Sequence, residues 1–342
     1  MKLLKAYACY NVEEDVRLSS SSGGIFSVLA EYVFSKNGIV YGVAMSEDCY
    51  SAKFIGVTNK NELVKLRGSK YLQAKVGDTY KKIKSELLLG KEVLFTGTGC
   101  QVNGLKSFLG RDYENLICVD IICHGVPSAA LWKKYAQYQE HKNHGKLKEI
   151  QFRCKDKGWA YFGIKEHFEK LKNRNVKKIY ISKDEDYYMQ MFLKNYCLRP
   201  SCYECTAKNM KMADLTIADF WGIDEVVPEM NDGKGVSLVL IRNERGEEIF
   251  GKIGKMIKQK EVSYENGVKK NSAEYKSCVK PLQREKFFCD MQYMDFEMLK
   301  NKYIKLTFKS RLKKFLKKAR RVWGGNVNEG LLFVLSIREE TL

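Results

Sequence analysis

The chain has 342 residues, 44% hydrophobic and 30% charged, which excludes global disorder and suits roughly two domains at about 150 residues each. No apolar stretch approaches the ~20 residues that span a bilayer, and the N-terminus turns acidic at Glu13-Glu14-Asp15 before a signal-peptide core can form, so the expected location is the cytoplasm. The net charge of +19 is uneven: residues 300–321 hold eleven Lys and Arg and no acid, so the body is only mildly basic.

In chain order, 7–10 reads as a short strand followed by a polar connector. Ser19 to Gly24 then lead into Ile25, Phe26, Leu29, Ala30 and Val33, an apolar period that predicts a helix ending at Asn37-Gly38. Strands are expected at 39–44 and 52–57, helical segments at 62–66 and 78–89, and a buried strand at 92–96. That strand runs into Gly97-Thr98-Gly99-Cys100 and a helix at 102–109. A second apolar strand, 116–122, runs into Cys123-His124-Gly125-Val126-Pro127-Ser128 and a helix at 129–140. Strand, glycine-bearing loop and helix in alternation predict an α/β fold around a mainly parallel mixed sheet, with ligands beyond the carboxyl ends of its strands.

After Lys146 a second α+β portion is expected, with strands at 149–153, 161–166, 178–182, 215–221 and 236–241 and helices at 184–195 and 244–257. No strand pattern appears past Pro281. The expected organisation is an N-terminal α/β part over 1–110, a C-terminal α/β part with the cysteine cluster over 111–285, and a basic amphipathic helical tail over 286–342. In that tail Ile304, Phe308, Leu312, Phe315, Leu316, Ala319 and Trp323 recur at helical spacing among the basic residues. It reads either as a helix packed on the protein's own body or as a contact, through 300–323, with the anionic inner face of a membrane. No groove-reading motif accompanies the charge, so no specific nucleic acid is expected.

Eleven cysteines in a reducing compartment point to metal or redox chemistry rather than crosslinks. Cys197, Cys202 and Cys205 form a C-x4-C-x2-C run. A CxxC turn brings two thiolates to one centre, and sulfur selects zinc or iron–sulfur. Zinc would want a second CxxC or a histidine pair nearby, and neither exists, whereas an iron–sulfur cluster recruits cysteines from distant loops. Cys100 and Cys123 each follow a buried strand and precede a helix, where a thiolate is stabilised. Cys118 reads as core, and Cys9, Cys49, Cys154, Cys278 and Cys289 lack a partner at ligand spacing. Ser21-Ser22-Gly23-Gly24 before a helix is either an anion site or a plain cap. Arg67-Gly68-Ser69-Lys70-Tyr71 could hold a phosphate or flank a flat ring, and Asp219-Phe220-Trp221-Gly222 could plug the core or wall a planar cofactor.

Taken together, Ser20 to Gly24, Arg67 to Tyr71, Gly97-Thr98-Gly99-Cys100-Gln101, Cys123 to Ser128, Arg199 to Cys205 and Asp219 to Gly222 occur in an order that resembles the coenzyme F420 hydrogenase/dehydrogenase beta-subunit family. The likeness covers about Ala6 to Lys280. It implies an oxidoreductase that binds FAD in its N-terminal part and a [4Fe-4S] cluster, and passes electrons between them and an external carrier or small-molecule substrate. Carried over by motif, the cluster ligands are Cys202 and Cys205 with Cys100 and Cys123, and Cys197 is the competing ligand. The flavin falls to Ser21, Ser22, Gly23, Gly24, Gly68, Ser69, Lys70 and Tyr71, with Thr98, Gln101, Asp219 and Trp221 around the cofactors. Two departures stand out: no CxxCxxCxxxCP module precedes the serine loop, and Gly-Thr-Gly-Cys-Gln replaces the usual Gly-Thr-Pro-Cys-Gln. The first implies an external donor such as a ferredoxin or a partner subunit; the Lys-, Asn-, Ile- and Tyr-rich composition suits a bacterial source. The reading from another class is a binding or scaffold protein with structural zinc and a basic docking tail. On the flavin reading, Gly23→Asp should yield folded but flavin-depleted protein, and Lys70→Ala should weaken binding through loss of a charge.

Overall fold

Runs such as Leu-Ile-Cys-Val at 116–119 and Leu-Val-Leu-Ile at 238–241 are apolar without alternation, so they need cover on both faces. The computed structural model, which describes residues 5–170 and 175–304, provides it. Its strands are β1 (Lys5–Asn11), β2 (Ile39–Met45), β3 (Ala52–Val57), β4 (Ala74–Lys75), β5 (Val93–Thr98), β6 (Leu116–Ile121), β7 (Gly145–Cys154), β8 (Gly163–Lys170), β9 (Val176–Ser182), β10 (Leu215–Asp219), β11 (Ser237–Ile241) and β12 (Ile257–Val262). Nine form one sheet in the order β12-β1-β11-β10-β6-β5-β2-β3-β4, and β7-β8-β9 form a separate antiparallel sheet.

The fold is α/β with a mixed sheet. Its centre, β10-β6-β5-β2, is parallel, and antiparallel pairs of β11, β1 and β12 extend one side. Alternation along each strand assigns the two faces. Leu94, Ile117 and Val119 pack with Val28, Leu29 and Val33 of the helix Ile25–Phe34 and with Ile249 and Phe250 of the helix Glu244–Lys252. On the other face Val93, Phe95 and Leu116 meet Val102 and Leu105 of the helix Gly99–Leu109 and Leu131 and Trp132 of the helix Ala129–Asn143. The division expected at residue 110 does not divide the sheet, because β6, β10, β11 and β12 join strands that precede it.

Two elements escape the sequence pattern for a physical reason. The helix Glu14–Ser19, where a connector was expected, is short and polar. The helix expected over 244–257 ends at Lys252, and after a short turn at Gly254–Met256 comes strand β12, a sheet edge, exposed along Lys258 to Glu261 and charged, so it carries no apolar period. Beyond Pro281 the described residues are helical, at Arg284–Tyr293 and Phe296–Tyr303. Most of the basic helical tail expected over 286–342, and almost all of the membrane contact expected through 300–323, lies outside the described residues. Among the described residues no helix is long and apolar enough to cross a membrane.

Candidate functional site

Strands β5 and β6 lie side by side in parallel, Thr98 opposite Ile121, so the loops after them open on one rim. At the first, Thr98 starts the helix Gly99–Leu109: its N–H and its hydroxyl both donate to Gln101 Oε1, at 2.9 and 3.0 Å. Thr98 and Gln101 therefore build the turn that presents Cys100, whose exposed thiol is 3.2 Å from the Thr98 hydroxyl. Gly99 packs closely: a Cβ there would stand 3.0 Å from Asp120 Oδ2 and 3.2 Å from Ala207 Cβ, so these neighbours would have to give by a few tenths of an ångström.

That approach brings in the second half of the site. The loop after β6 pairs with the segment entering the CxxC turn: Arg199 N–H donates to Val126 O (2.9 Å), Ser128 N–H to Cys197 O (2.8 Å) and Val126 N–H to Cys202 Sγ (3.4 Å). Lys208 ties the two together by donating to the carbonyls of Cys123 (2.6 Å) and Ala273. The result is an open cleft of about 410 Å³ lined by Cys100, Cys123, Cys202 and Cys205, with Asp120, Lys208 and Lys211 at its base and sides. Burial pushes the Cys123 thiol up to about 12, an effect the neighbouring thiols of Cys202, Cys100 and Cys205 reinforce and Lys208 opposes. His124 also lines the cleft, hydrogen-bonded to Asn195 (2.7 Å), and burial lowers its pKa.

The competing ligand, Cys197, lies elsewhere: it is fully buried in the core, where burial raises its thiol to about 12, and it does not line the cleft. Cys278, read from sequence as unpartnered, stands instead at the cleft edge, its thiol donating to Cys202 O (3.4 Å), while the adjacent Ser277 Oγ accepts from Cys205 N–H (2.9 Å). Among the described residues no three His, Cys, Asp or Glu side chains converge as ligands of one metal ion. A single zinc needs its sulfurs at about 2.3 Å from one point. A cubane cluster has a separate iron for each thiolate, so its cysteines need not converge on one point, and the four that line this cleft come from three segments.

A second cleft, of about 280 Å³, lies between the serine loop, the 67–70 turn and β7. Ser21, Gly68, Ser69 and Lys70 are among the residues that line it. Ser69 N–H donates to Ser21 Oγ (2.9 Å), and Arg67 fastens the turn to the helix Ile25–Phe34 through Ser27 (3.1 Å). Lys70 departs from its expected role. Its ammonium is turned inward onto the carbonyls of Lys65, Leu66 and Arg67, at 2.8 to 3.1 Å, and burial lowers its pKa to about 7. Tyr71 is an aromatic core element 5.2 Å from Phe192.

Ser22 and Gly23 lie beneath the cleft, bonded to Val236 O and Ser237 Oγ. A Cβ on Gly23 would stand 2.5 Å from Cys9 O and 2.8 Å from Ser237 N, both backbone atoms, so the Gly23→Asp expectation is corrected: the substitution would disrupt the β1–β11 junction itself. Gly24 takes the left-handed conformation (φ 84°) that starts the helix.

The cation of this cleft is one the sequence did not reveal. Arg153, 4% exposed, makes a bidentate pair with Asp219 (2.7 and 2.9 Å), and its Nη2 reaches Ser21 O (3.5 Å). Its Nε is buried with no hydrogen-bond partner among the described residues. The register of β7 on β8 shifts between Gln151 and Cys154, a bulge that re-aims Arg153. Asp219 also accepts from Trp159 Nε1 (2.9 Å), and Trp159 stacks on Trp221 at 5.0 Å and 5°. Asp219 and Trp221 thus reach the serine cleft through Arg153. A buried guanidinium, a half-buried pair of hydroxyls and one unmet N–H suit an anionic ligand such as a cofactor diphosphate.

Two family models match the chain. Residues 6–79 match the N-terminal part of the coenzyme F420 hydrogenase/dehydrogenase beta subunit, and residues 90–266 match its C-terminal part. A coenzyme F420-dependent sulfite reductase of Methanocaldococcus jannaschii is 23% identical over 255 residues, 70% of this chain and 35% of that protein, so the chain spans about a third of that relative's length. A chain of the F420-reducing [NiFe] hydrogenase complex from Methanosarcina barkeri, solved as a xenon derivative, shares the fold. The TM-score is 0.50 at 15% identity, over 80% of this chain and 88% of that one.

Proposed function

Because the chain belongs to the coenzyme F420 hydrogenase/dehydrogenase beta-subunit family, an oxidoreductase family, we propose that it is an iron–sulfur flavoprotein. Cys100, Cys123, Cys202 and Cys205 would hold a [4Fe-4S] cluster, and the serine cleft would hold the diphosphate of FAD. The observation that carries the reading is the meeting of four cysteines from three separate segments on one cleft. When bound, a flavin supplies exchange between one- and two-electron chemistry, and a cluster supplies single-electron transfer.

The chain's own residues divide the work. Arg153 meets negative charge with a guanidinium already desolvated and held in place by Asp219, so little reorganisation is needed on binding. Ser21 and Ser69 add hydroxyls and fix each other's geometry. On the other side, Thr98 and Gln101 hold the turn that points Cys100 into its cleft, and Lys208 and Lys211 set positive charge beside the four thiolates. The relatives' names make coenzyme F420 the first hydride carrier to assay, with free flavins beside it. Anaerobic reconstitution followed by flavin, iron and sulfide determination tests the proposal. It predicts stoichiometric FAD and a cluster that Cys205→Ala removes, and a colourless protein would contradict it.

A further inference from the structure

Resting on the cluster reading of the cysteine cleft, we propose that the surface made by residues 275–282 together with Arg199 is the docking site of a small acidic iron–sulfur electron carrier. Segment 275–282 is fastened to the CxxC turn from outside: Ser277 accepts from Cys205 N–H and the Cys278 thiol donates to Cys202 O. A protein seated on it is separated from Cys202 and Cys205 by this one segment, which touches both of their backbones.

Composition and exposure argue for such a partner. Val279 is 80% exposed and Leu282 is fully exposed, and Tyr275 stands beside them, also exposed. Apolar side chains of this size gain from burial against a second protein. Around them Arg199, Lys276 and Lys280 are exposed and positive; Glu204 is the acid on the turn. Lys280 meets Glu285, but both side chains are more than half exposed, so the pair is readily exchanged for a partner's carboxylate. An apolar centre with a charged rim is the make-up of a transient protein contact. The positive sign selects an acidic partner and speeds its encounter. The step served would be one-electron transfer: the carrier would lose one electron to the cluster that Cys100, Cys123, Cys202 and Cys205 would hold, with no bond or proton changed.

The test uses reconstituted full-length protein and a photoreduced, strongly acidic 2[4Fe-4S] ferredoxin as the probe, with viologen radical, a small cation that needs no docking surface, as the second reductant. The charge reversal Lys276→Glu/Lys280→Glu should slow reduction by ferredoxin about tenfold or more at low salt and converge on wild type at high salt. Val279→Ser/Leu282→Ser should slow it at both salts, and viologen should reduce every variant at no less than the wild-type rate. Unchanged ferredoxin rates in variants with full iron content would overturn the docking site alone. Wild-type protein that takes up no iron would overturn the cluster reading, and the docking site with it.

Discussion

The cysteine cleft takes its reactive groups from side chains at the ends of β5 and β6 and on one short turn, whereas the serine cleft is made by backbone, hydroxyls and a guanidinium from another sheet. The first advertises itself in one dimension, because sulfur at ligand spacing is rare and chemically specific. The second conceals its main charge: Arg153 lies about 130 positions from Ser21 and is aimed by a bulge. A lysine close in sequence, Lys70, looks like the cation and instead turns onto the carbonyls of Lys65, Leu66 and Arg67, in the turn that follows the helix Lys60–Leu63.

The largest effect that separates the two clefts concerns cysteine. Cys123→Ala should abolish iron and sulfide incorporation and leave FAD in place, while Cys197→Ala should keep its iron and lose only packing stability, which iron analysis and a melting curve would show. Equal iron loss in both would return Cys197 to the ligand set. Next is Arg153→Ala, which removes the guanidinium and strands Asp219; unfolding free energy should fall by about 3–5 kcal/mol, as when one partner of a buried pair is deleted. Arg153→Lys should keep part of the stability and lose the bidentate contact, and FAD titration should show weaker binding in both. FAD affinity unmoved by Arg153→Lys would place the diphosphate elsewhere.

Ser21→Ala removes one hydroxyl and the acceptor of Ser69 N–H. Its cost should be about 1 kcal/mol, hence a several-fold rise in the dissociation constant for FAD, with iron content unchanged. The most gradual effect is in pH. Lys70 and Lys155, the latter bonded to the carbonyls of Arg17, Ser22 and Lys234, are both lowered to about 7 by burial. Between pH 7 and the ordinary value of 10.5 the unfolded chain binds these protons and the folded one does not. Stability should therefore rise with pH above about 7, by at most on the order of 1 kcal/mol per pH unit per lysine, and be lowest below it. Lys155→Met should flatten the slope in urea unfolding; an unchanged slope would mean that Lys155 is charged in the fold.

Much of the fold was legible because strands β2, β3, β5, β6, β10 and β11 are apolar and bounded by glycine-bearing loops. The order of strands was not, since β1 sits between β11 and β12, more than 200 positions away. Within the site, all four cysteines expected as ligands line one cleft, and Ser21, Gly68, Ser69 and Lys70 line the other. What stayed hidden is what only long-range packing creates. Cys278 is one of five isolated cysteines in sequence and becomes a neighbour of Cys202 through the loop after Glu274. Gly23 looks like any loop glycine until Cys9 O is found 2.5 Å from its missing Cβ.

The central claim, that four cysteines on one rim hold a [4Fe-4S] cluster, is tested most directly by counting iron and acid-labile sulfide in anaerobically reconstituted wild-type protein and in Cys202→Ala. About four of each per wild-type chain, and neither in the variant, is the predicted result. Iron in equal amount in both proteins, or absent from the wild type, would contradict it.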